Sequence, residues 1–350
     1  KTHLQSKVAE LIPEEDKVEI TVLSANAFYY FHRTELQHKL ILIEDLDGAE
    51  SVLYPLRELQ SKKRITKTVV HKDTKGTTRT IHLTVEGPVS VAGCTTQESI
   101  YEDNSNRSFL LYIDESAEQD QKIMDYQRLI SAGKINDDEE HASRVLLQNA
   151  QRVLKSIKVI NPFAEHLELP KSVFKPRRTN SHYLQFIEAI TFYKQYQREK
   201  QYDKDTGEEF IETTIEDIQE ANQLIIEVLL RKSDTINGAT RNYLEALKNC
   251  LNTENQTTFT ALEIRRRLKV KKTTQWRYHQ QLMDNYYIKK VKKKGENLNH
   301  YEVTNPNEYK ELEETISKSL QECIAKIERS NVPKRSTTKM ERLTTTETES

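Results

Sequence analysis

Four short groups of residues could together handle a nucleoside triphosphate. The chain opens on Lys1-Thr2, the last two positions of the pattern G-x-x-x-x-G-K-[ST]. In that pattern the lysine reaches the terminal phosphates and the hydroxyl binds Mg²⁺. The aliphatic run Leu40-Ile41-Leu42-Ile43 ends in Glu44-Asp45. Metal-assisted phosphoryl transfer uses such a pair of acids, one to hold the ion and one to orient or deprotonate the attacking water. The order assigns the metal to Glu44, together with Thr2, and the water to Asp45. Val89–Cys94 leads into Thr95-Thr96, polar side chains at a strand tip that could sense a γ-phosphate. Arg107 precedes the run Ser108–Ile113 and is placed to act as an arginine finger on a neighbouring subunit's nucleotide. Plainer alternatives stand beside these: an arbitrary boundary at Lys1, a strand ending in surface acids, and an arginine paired with Glu102 or Asp103.

The elements that must position these groups alternate. Strands are expected at Val18–Leu23, Leu40–Glu44, Val89–Cys94 and Ser108–Asp114, with a helix over Ala49–Gln60, the pattern of a parallel α/β sheet. Directly after Lys1-Thr2, the spacing of Leu4, Val8 and Leu11 predicts a helix with those residues inward. Two β-rich runs, Ile65–His71 and Arg79–Val85, predict a hairpin inserted before the third strand, its tip carrying Lys72 and Lys75. From Ala117 to Leu251 the pattern turns helical, with a polar loop at Lys200–Gly207. An amphipathic helix is expected over 305–328 and a disordered tail from Ser330. With no initiator Met and no glycines ahead of Lys1-Thr2, the sequence reads as a fragment severed inside its phosphate-binding loop.

The composition narrows the classes. Charged residues make up 31% of the 350, and the mean hydropathy is −0.77, which points to a soluble, helix-rich protein. Cys94, Cys250 and Cys323 lie far apart, which argues against a zinc site or a disulfide framework and for a reducing cytoplasm. No apolar run approaches the roughly 20 residues that span a bilayer, so no membrane partner is expected. The net charge of −1 conceals an asymmetry: between Thr258 and Thr304, twelve Lys and Arg face four acids. Such a local basic surface is a plausible nucleic-acid footprint.

That basic stretch reads as a helix-turn-helix with a wing. Thr260 is placed to cap a first helix, and Thr273 a second carrying Trp276, His279, Leu282 and Met283. Lys289–Lys294 and Gly295 then lead to a return strand at His300–Val303. The second helix could enter a major groove, presenting Thr274, Gln275, Arg277 and Tyr278, with Lys292, Lys293 and Lys294 on the wing. Trp276 is expected in the core rather than stacked on a base. A wing used for protein contacts is the alternative.

Taken together, Lys1-Thr2, the LILIED strand, the inserted hairpin, the polar strand tip and Asn106-Arg107 resemble an AAA+ core of the minichromosome-maintenance-like branch. The phrases LILIEDLDGAE, LYPLRELQSKKRITKTVVHKD, HLTVEGPVSVAGCTT, YEDNSNRSFLLYIDES and VFKPRRTN resemble the helicase-like C-terminal region of DNA primase/helicase proteins of bacterial mobile elements. Those proteins often carry an N-terminal zinc finger and a Toprim primase domain. The resemblance covers most of 1–310. It implies an N-terminally truncated α/β P-loop NTPase core with a helical lid and a C-terminal winged-helix domain. Lys1 and Thr2 become the P-loop residues, Glu44 and Asp45 the Walker B acids, Thr95 or Thr96 the sensor and Arg107 the finger. Arg177 or Arg178, at the start of a lid helix after Pro176, becomes the second sensor. The acids run Glu-Asp where the pattern is usually Asp-Glu, which leaves the base unassigned.

The expected boundaries are a core over 1–116 with its hairpin at 65–85, a helical lid over 117–251, a winged helix over 252–304, a helix over 305–329 and a tail over 330–350. The expected function is an ATP- and Mg²⁺-dependent DNA helicase or replication motor, assembled as a homo-oligomeric ring on single-stranded and duplex DNA. The hairpin's Lys72 and Lys75 would touch the translocating strand. The alternative is a non-catalytic winged-helix adaptor on a degenerate ATPase scaffold. Primer synthesis would belong to upstream domains.

Overall fold

A computed structural model describes residues 2–21, 24, 26–46, 52–72, 76–95, 107–111, 113–114, 117–170, 173, 175–292 and 298–330. The chain forms two compact units, Lys1–Leu154 and Lys155–Ser350. Among the described residues no helix is long and apolar enough to cross a membrane.

The first unit is built on a three-stranded parallel sheet. Strand β1 (Lys17–Ile20) lies beside β2 (Lys39–Ile43), which lies beside the strand at Val89–Gly93. The middle strand explains the aliphatic run: Ile41, Leu42 and Ile43 are all buried, as befits a strand covered on both faces. Helix α1 (Thr2–Ala9) precedes the sheet and α2 (Leu53–Lys62) follows its middle strand. The inserted hairpin pairs β3 (Arg64–Lys72) with β4 (Thr78–Glu86) over nine residue pairs, from Arg64 opposite Glu86 to Lys72 opposite Thr78. Its base is sealed into the core by Ile65 and Val85, beside Phe28, Leu36, Leu56 and Leu59. β4 then leads into β5 (Val89–Gly93).

Three expectations fail here. α1 forms, but Leu4 and Val8 are 56% and 51% exposed, and the buried residue is Ala9. The inward stripe therefore runs one position later than the apolar spacing suggests. No strand forms at Ser108–Asp114 among its described residues: Leu111 is 74% exposed and Leu110 and Ile113 are only half-buried, so the apolar side chains gain little from a sheet face. α2 begins at Leu53 rather than Ala49, and Ala49 lies outside the described residues. Helices α3 (Ala117–Ser131) and α4 (Asp137–Arg152) complete the unit. α4 docks through polar side chains: Gln148 donates to the Glu10 carbonyl at 2.8 Å, Gln151 to the Leu11 carbonyl at 2.6 Å, and Arg152 pairs with Glu15 at 2.7 Å.

The second unit opens on a small mixed sheet, β6 (Lys158–Ile160), β7 (Gln201–Tyr202) and β8 (Glu209–Glu212), with β8 in the middle. The polar stretch Lys200–Gly207 is thus part of a hairpin, not a plain loop. Asp203 accepts from the backbone of Asp205 and Thr206, and Gly207 takes the positive φ of 70° that closes the turn. Helices α5 (Pro176–Tyr193) and α6 (Ile215–Ser233) pack face to face. A reciprocal capping box between Thr214 and Asp217 fixes the start of α6.

Helix α7 (Gly238–Thr253) leads to β9 (Thr258–Thr260), α8 (Ala261–Leu268), α9 (Lys272–Asp284), β10 (Ile288–Val291) and β11 (His300–Val303). β11 pairs antiparallel with both β10 and β9. Thr260 caps α8 as expected, in a second box with Glu263. α9 is different: its N-cap is the extended Lys271, and Thr273 lies inside the helix. The last helix, α10 (Glu308–Arg329), lays Ile316, Leu320, Cys323 and Ile327 on the α5–α6 core. Residues 331–350 lie outside the described residues.

Candidate nucleotide site

In an open parallel sheet, ligands meet the carboxyl ends of the strands. Glu44 and Asp45 follow the last residue of β2 directly, and both are exposed. The backbone holds them in place. The Glu44 amide donates to the Ile20 carbonyl at 3.3 Å, and the Leu46 amide to the Cys94 carbonyl at 2.8 Å. The turn after β2 is therefore stitched to the ends of β1 and β5 on either side. Gly93 permits this closeness: a Cβ there would sit 2.6 Å from Leu46 Cγ. Thr95, half-buried, follows Cys94 at the end of β5.

One residue the sequence did not single out ties α1 to this edge. Gln5 Nε2 donates to the Ile43 carbonyl at 3.2 Å and the Ala92 carbonyl at 2.9 Å, and its Oε1 accepts from Cys94 Sγ at 3.2 Å. Thr2 lies three residues earlier on α1, about one helical turn away. Thr2 at the start of α1, the two acids and Thr95 are thus carried on elements joined at one edge of one sheet. A helix N-terminus there also favours a phosphate by its dipole and unpaired amides. Lys1, Thr96 and the hairpin-tip Lys75 lie outside the described residues.

The other expected residues scatter. Arg107 is half-buried and donates to Ser61 Oγ on α2. Lys72 is exposed at the end of β3. Arg177 and Arg178, both exposed, occupy the first turn of α5 in the second unit.

In the basic stretch the structure corrects the reading of α9. Gln275 is only 2% exposed and donates to Tyr243 Oη at 3.1 Å and the Ala261 carbonyl at 2.8 Å. It holds two helices together and is not available to a groove. Trp276, expected inside, is 65% exposed. Tyr278 is half-buried with its ring 5.2 Å from that of Tyr243, and Thr274 is half-buried. Arg277 and Lys292 are exposed, whereas Lys293 and Lys294 lie outside the described residues. Some of the local charge is already neutralised: Arg267 pairs with Glu254 at 2.6 Å and Glu263 at 3.0 Å, and Lys289 with Glu302 at 3.2 Å.

A parallel sheet, a helix starting at Thr2 and tied to its edge, and acids closing its middle strand define a P-loop NTPase-like nucleotide-binding core. Comparison with known families agrees: residues 1–156 match the model described as the MTBMA_p00010 P-loop domain. No curated protein and no solved structure matches the chain.

Proposed function

We propose that the chain is the motor portion of an ATP-dependent DNA helicase or replication protein, of the mobile-element primase-helicase kind. The observation that supports this reading is the Gln5 clamp. It fixes the helix bearing Thr2 to the backbone one residue before Glu44. Thr2 and Glu44 would hold Mg²⁺ on the ATP phosphates, and the ion would supply charge neutralisation there. Asp45 would orient the attacking water, and Thr95 or Thr96 would contact the γ-phosphate. Arg107, now bonded to Ser61, would serve a neighbouring subunit of a ring after leaving that partner. Duplex DNA would meet the second unit as a winged helix, through Arg277, Trp276 and Lys292, and single strands would meet the hairpin.

The test is Mg²⁺-dependent ATP hydrolysis. Glu44→Gln or Asp45→Asn should each lower turnover at least about a hundredfold, with unfolding unchanged because both side chains are exposed. Unaltered turnover in both variants would remove the motor reading. A second reading, a DNA-binding adaptor on a silent ATPase scaffold, is favoured by the number of exposed cations gathered on one small fold in the second unit. It predicts DNA binding indifferent to nucleotide and to either acid.

A further inference from the structure

Two clefts lie in the first unit. One, of about 550 Å³, opens where the base of the β3–β4 hairpin meets α2, and its lining includes Tyr29, Tyr54, Lys62, Lys63 and Arg64. The other, of about 400 Å³, is lined by Ser24, Asn26, Ala27, Tyr30 and Phe31. Tyr29 belongs to the first and its neighbour Tyr30 to the second. Lys67 joins them, its Nζ lying 5.6 Å from the centroid of each ring.

The chemistry of this surface is specific. Tyr30 and Tyr54 are 65% and 57% exposed, and each ring has a cation beside it, Lys67 at 5.6 Å from the Tyr30 centroid and Arg57 at 5.8 Å from that of Tyr54. The two acids of the first cleft are already engaged, Glu58 with Lys62 at 2.6 Å and Glu86 with Arg33 at 2.6 Å. Lys63 and Arg64 remain exposed and pair with no carboxylate among the described residues. Lys63 adopts a left-handed conformation, φ 55°, which ends α2 and turns the chain into β3. Consecutive cations are thereby set along the rim of the cleft. Exposed rings alternating with cations match a chain whose bases stack and whose phosphates repeat. A duplex hides its base faces and could not use the rings. A single nucleotide would leave one of the two platforms empty.

We propose that the paired clefts form a track for single-stranded nucleic acid. Bases stack on Tyr30 and Tyr54, phosphates lie on Lys63 and Arg64, and Lys67 steadies the junction. The track rests on the motor reading for its purpose, yet the binding itself requires no nucleotide.

The test uses the full 350-residue chain without ATP, and labelled oligo(dT) and oligo(U) of about twelve nucleotides, within the range such sites cover. Anisotropy is read across a salt series with unlabelled duplex in excess. Tyr30→Ala and Tyr54→Ala should each weaken binding about tenfold, and the Phe variants should retain it. Lys63→Ala/Arg64→Ala should reduce the salt slope by about 1.4. A preference for one oligomer names the polymer and keeps the track. Wild-type affinity and slope in the combined variant, folded by circular dichroism, would overturn it. So would full displacement by dTMP, which would make the cleft a mononucleotide site. If an alanine variant unfolds, Tyr→Leu keeps the bulk, removes the aromatic face and should still weaken binding. ATPase is scored separately on the unsubstituted protein, with Glu44→Gln as the negative control. Tyrosine-dependent binding without turnover sinks the motor and keeps the track, while turnover with indifferent tyrosines does the reverse.

Discussion

Each unit hangs a helix on a glutamine, and the two glutamines differ in what they hold. Gln5 reaches strand ends at the rim of a sheet, bonding the Ile43 and Ala92 carbonyls in a half-exposed setting. Gln275 lies inside, joining α9 to α7 and to the first residue of α8. The first positions groups that face solvent and could meet a ligand. The second closes a network that faces inward: Gln275, Tyr243 and His279, with Tyr243 Oη 2.7 Å from His279 Nε2. A polar side chain aimed at a helix's inner face therefore builds a site where the partner surface is open, and a core where it is closed.

The largest expected effect lies on the closed side. Arg241 is 1% exposed, paired with Asp234 at 2.7 Å and Glu308 at 3.1 Å, and lies 4.9 Å from the Tyr287 ring centroid. Arg241→Met would strand the buried Asp234 and should cost ~3–5 kcal/mol, read by urea unfolding. A loss under about 1 kcal/mol would mean that the network is not the keystone its burial implies.

Next comes the histidine of the inward network. Packed against Phe259, Tyr301 and Tyr243, His279 is held by burial well below its usual 6.5, at about 4. Between those values the unfolded chain takes up a proton that the folded chain refuses. Stability should thus fall as pH drops from about 6.5 to about 4, by an order of ~3 kcal/mol, and stay level above. His279→Gln should flatten that slope. An unchanged slope would place the titration elsewhere.

The glutamines themselves sharpen the contrast. Gln275→Ala leaves Tyr243 and the Ala261 carbonyl short of a donor and should cost ~1–3 kcal/mol. Trp276→Ala, one position along, should stay within about 0.5 kcal/mol while weakening duplex binding if α9 enters a groove. Gln5→Ala should cost only ~1 kcal/mol but lower ATP turnover by more than that loss of stability explains. Equal thermal shifts for Gln5→Ala and Gln275→Ala would erase the distinction drawn between them.

These same positions mark what the sequence could and could not reveal. Strand-end acids were legible because a buried parallel strand announces itself by an unbroken aliphatic run, and whatever follows must emerge at the sheet edge. The hairpin was legible from two β-rich runs flanking a Lys-Gly turn. Helix phase was not. Leu4 and Val8, like Trp276, were placed inward on hydrophobicity, and the structure turns each outward in favour of a neighbouring glutamine or alanine. Hydrophobic spacing assumes that burial is rewarded by apolar area alone. At strand and helix ends the partner surface is backbone carbonyl, which rewards an amide donor instead. Ser108–Asp114 failed for a related reason: β propensity reports fit to a half-buried surface, and Phe109 and Leu111 stay largely exposed there. The tyrosine clefts were invisible because Tyr29, Tyr54 and Lys67 come from three separate elements.

The three cysteines turn the architecture into its own clock. Cys94 is hydrogen-bonded to the Gln5 clamp, Cys250 is half-buried against the α7–α9 core, and Cys323 is 2% exposed on the inner face of α10 with its thiol 3.3 Å from the Glu168 carbonyl. A thiol reagent reaches each only when its own neighbourhood opens. Labelling followed by peptide mass therefore times three separate breathing motions in one unmodified sample. Any ligand that settles on the strand ends should slow the hand at Cys94 and leave the other two running.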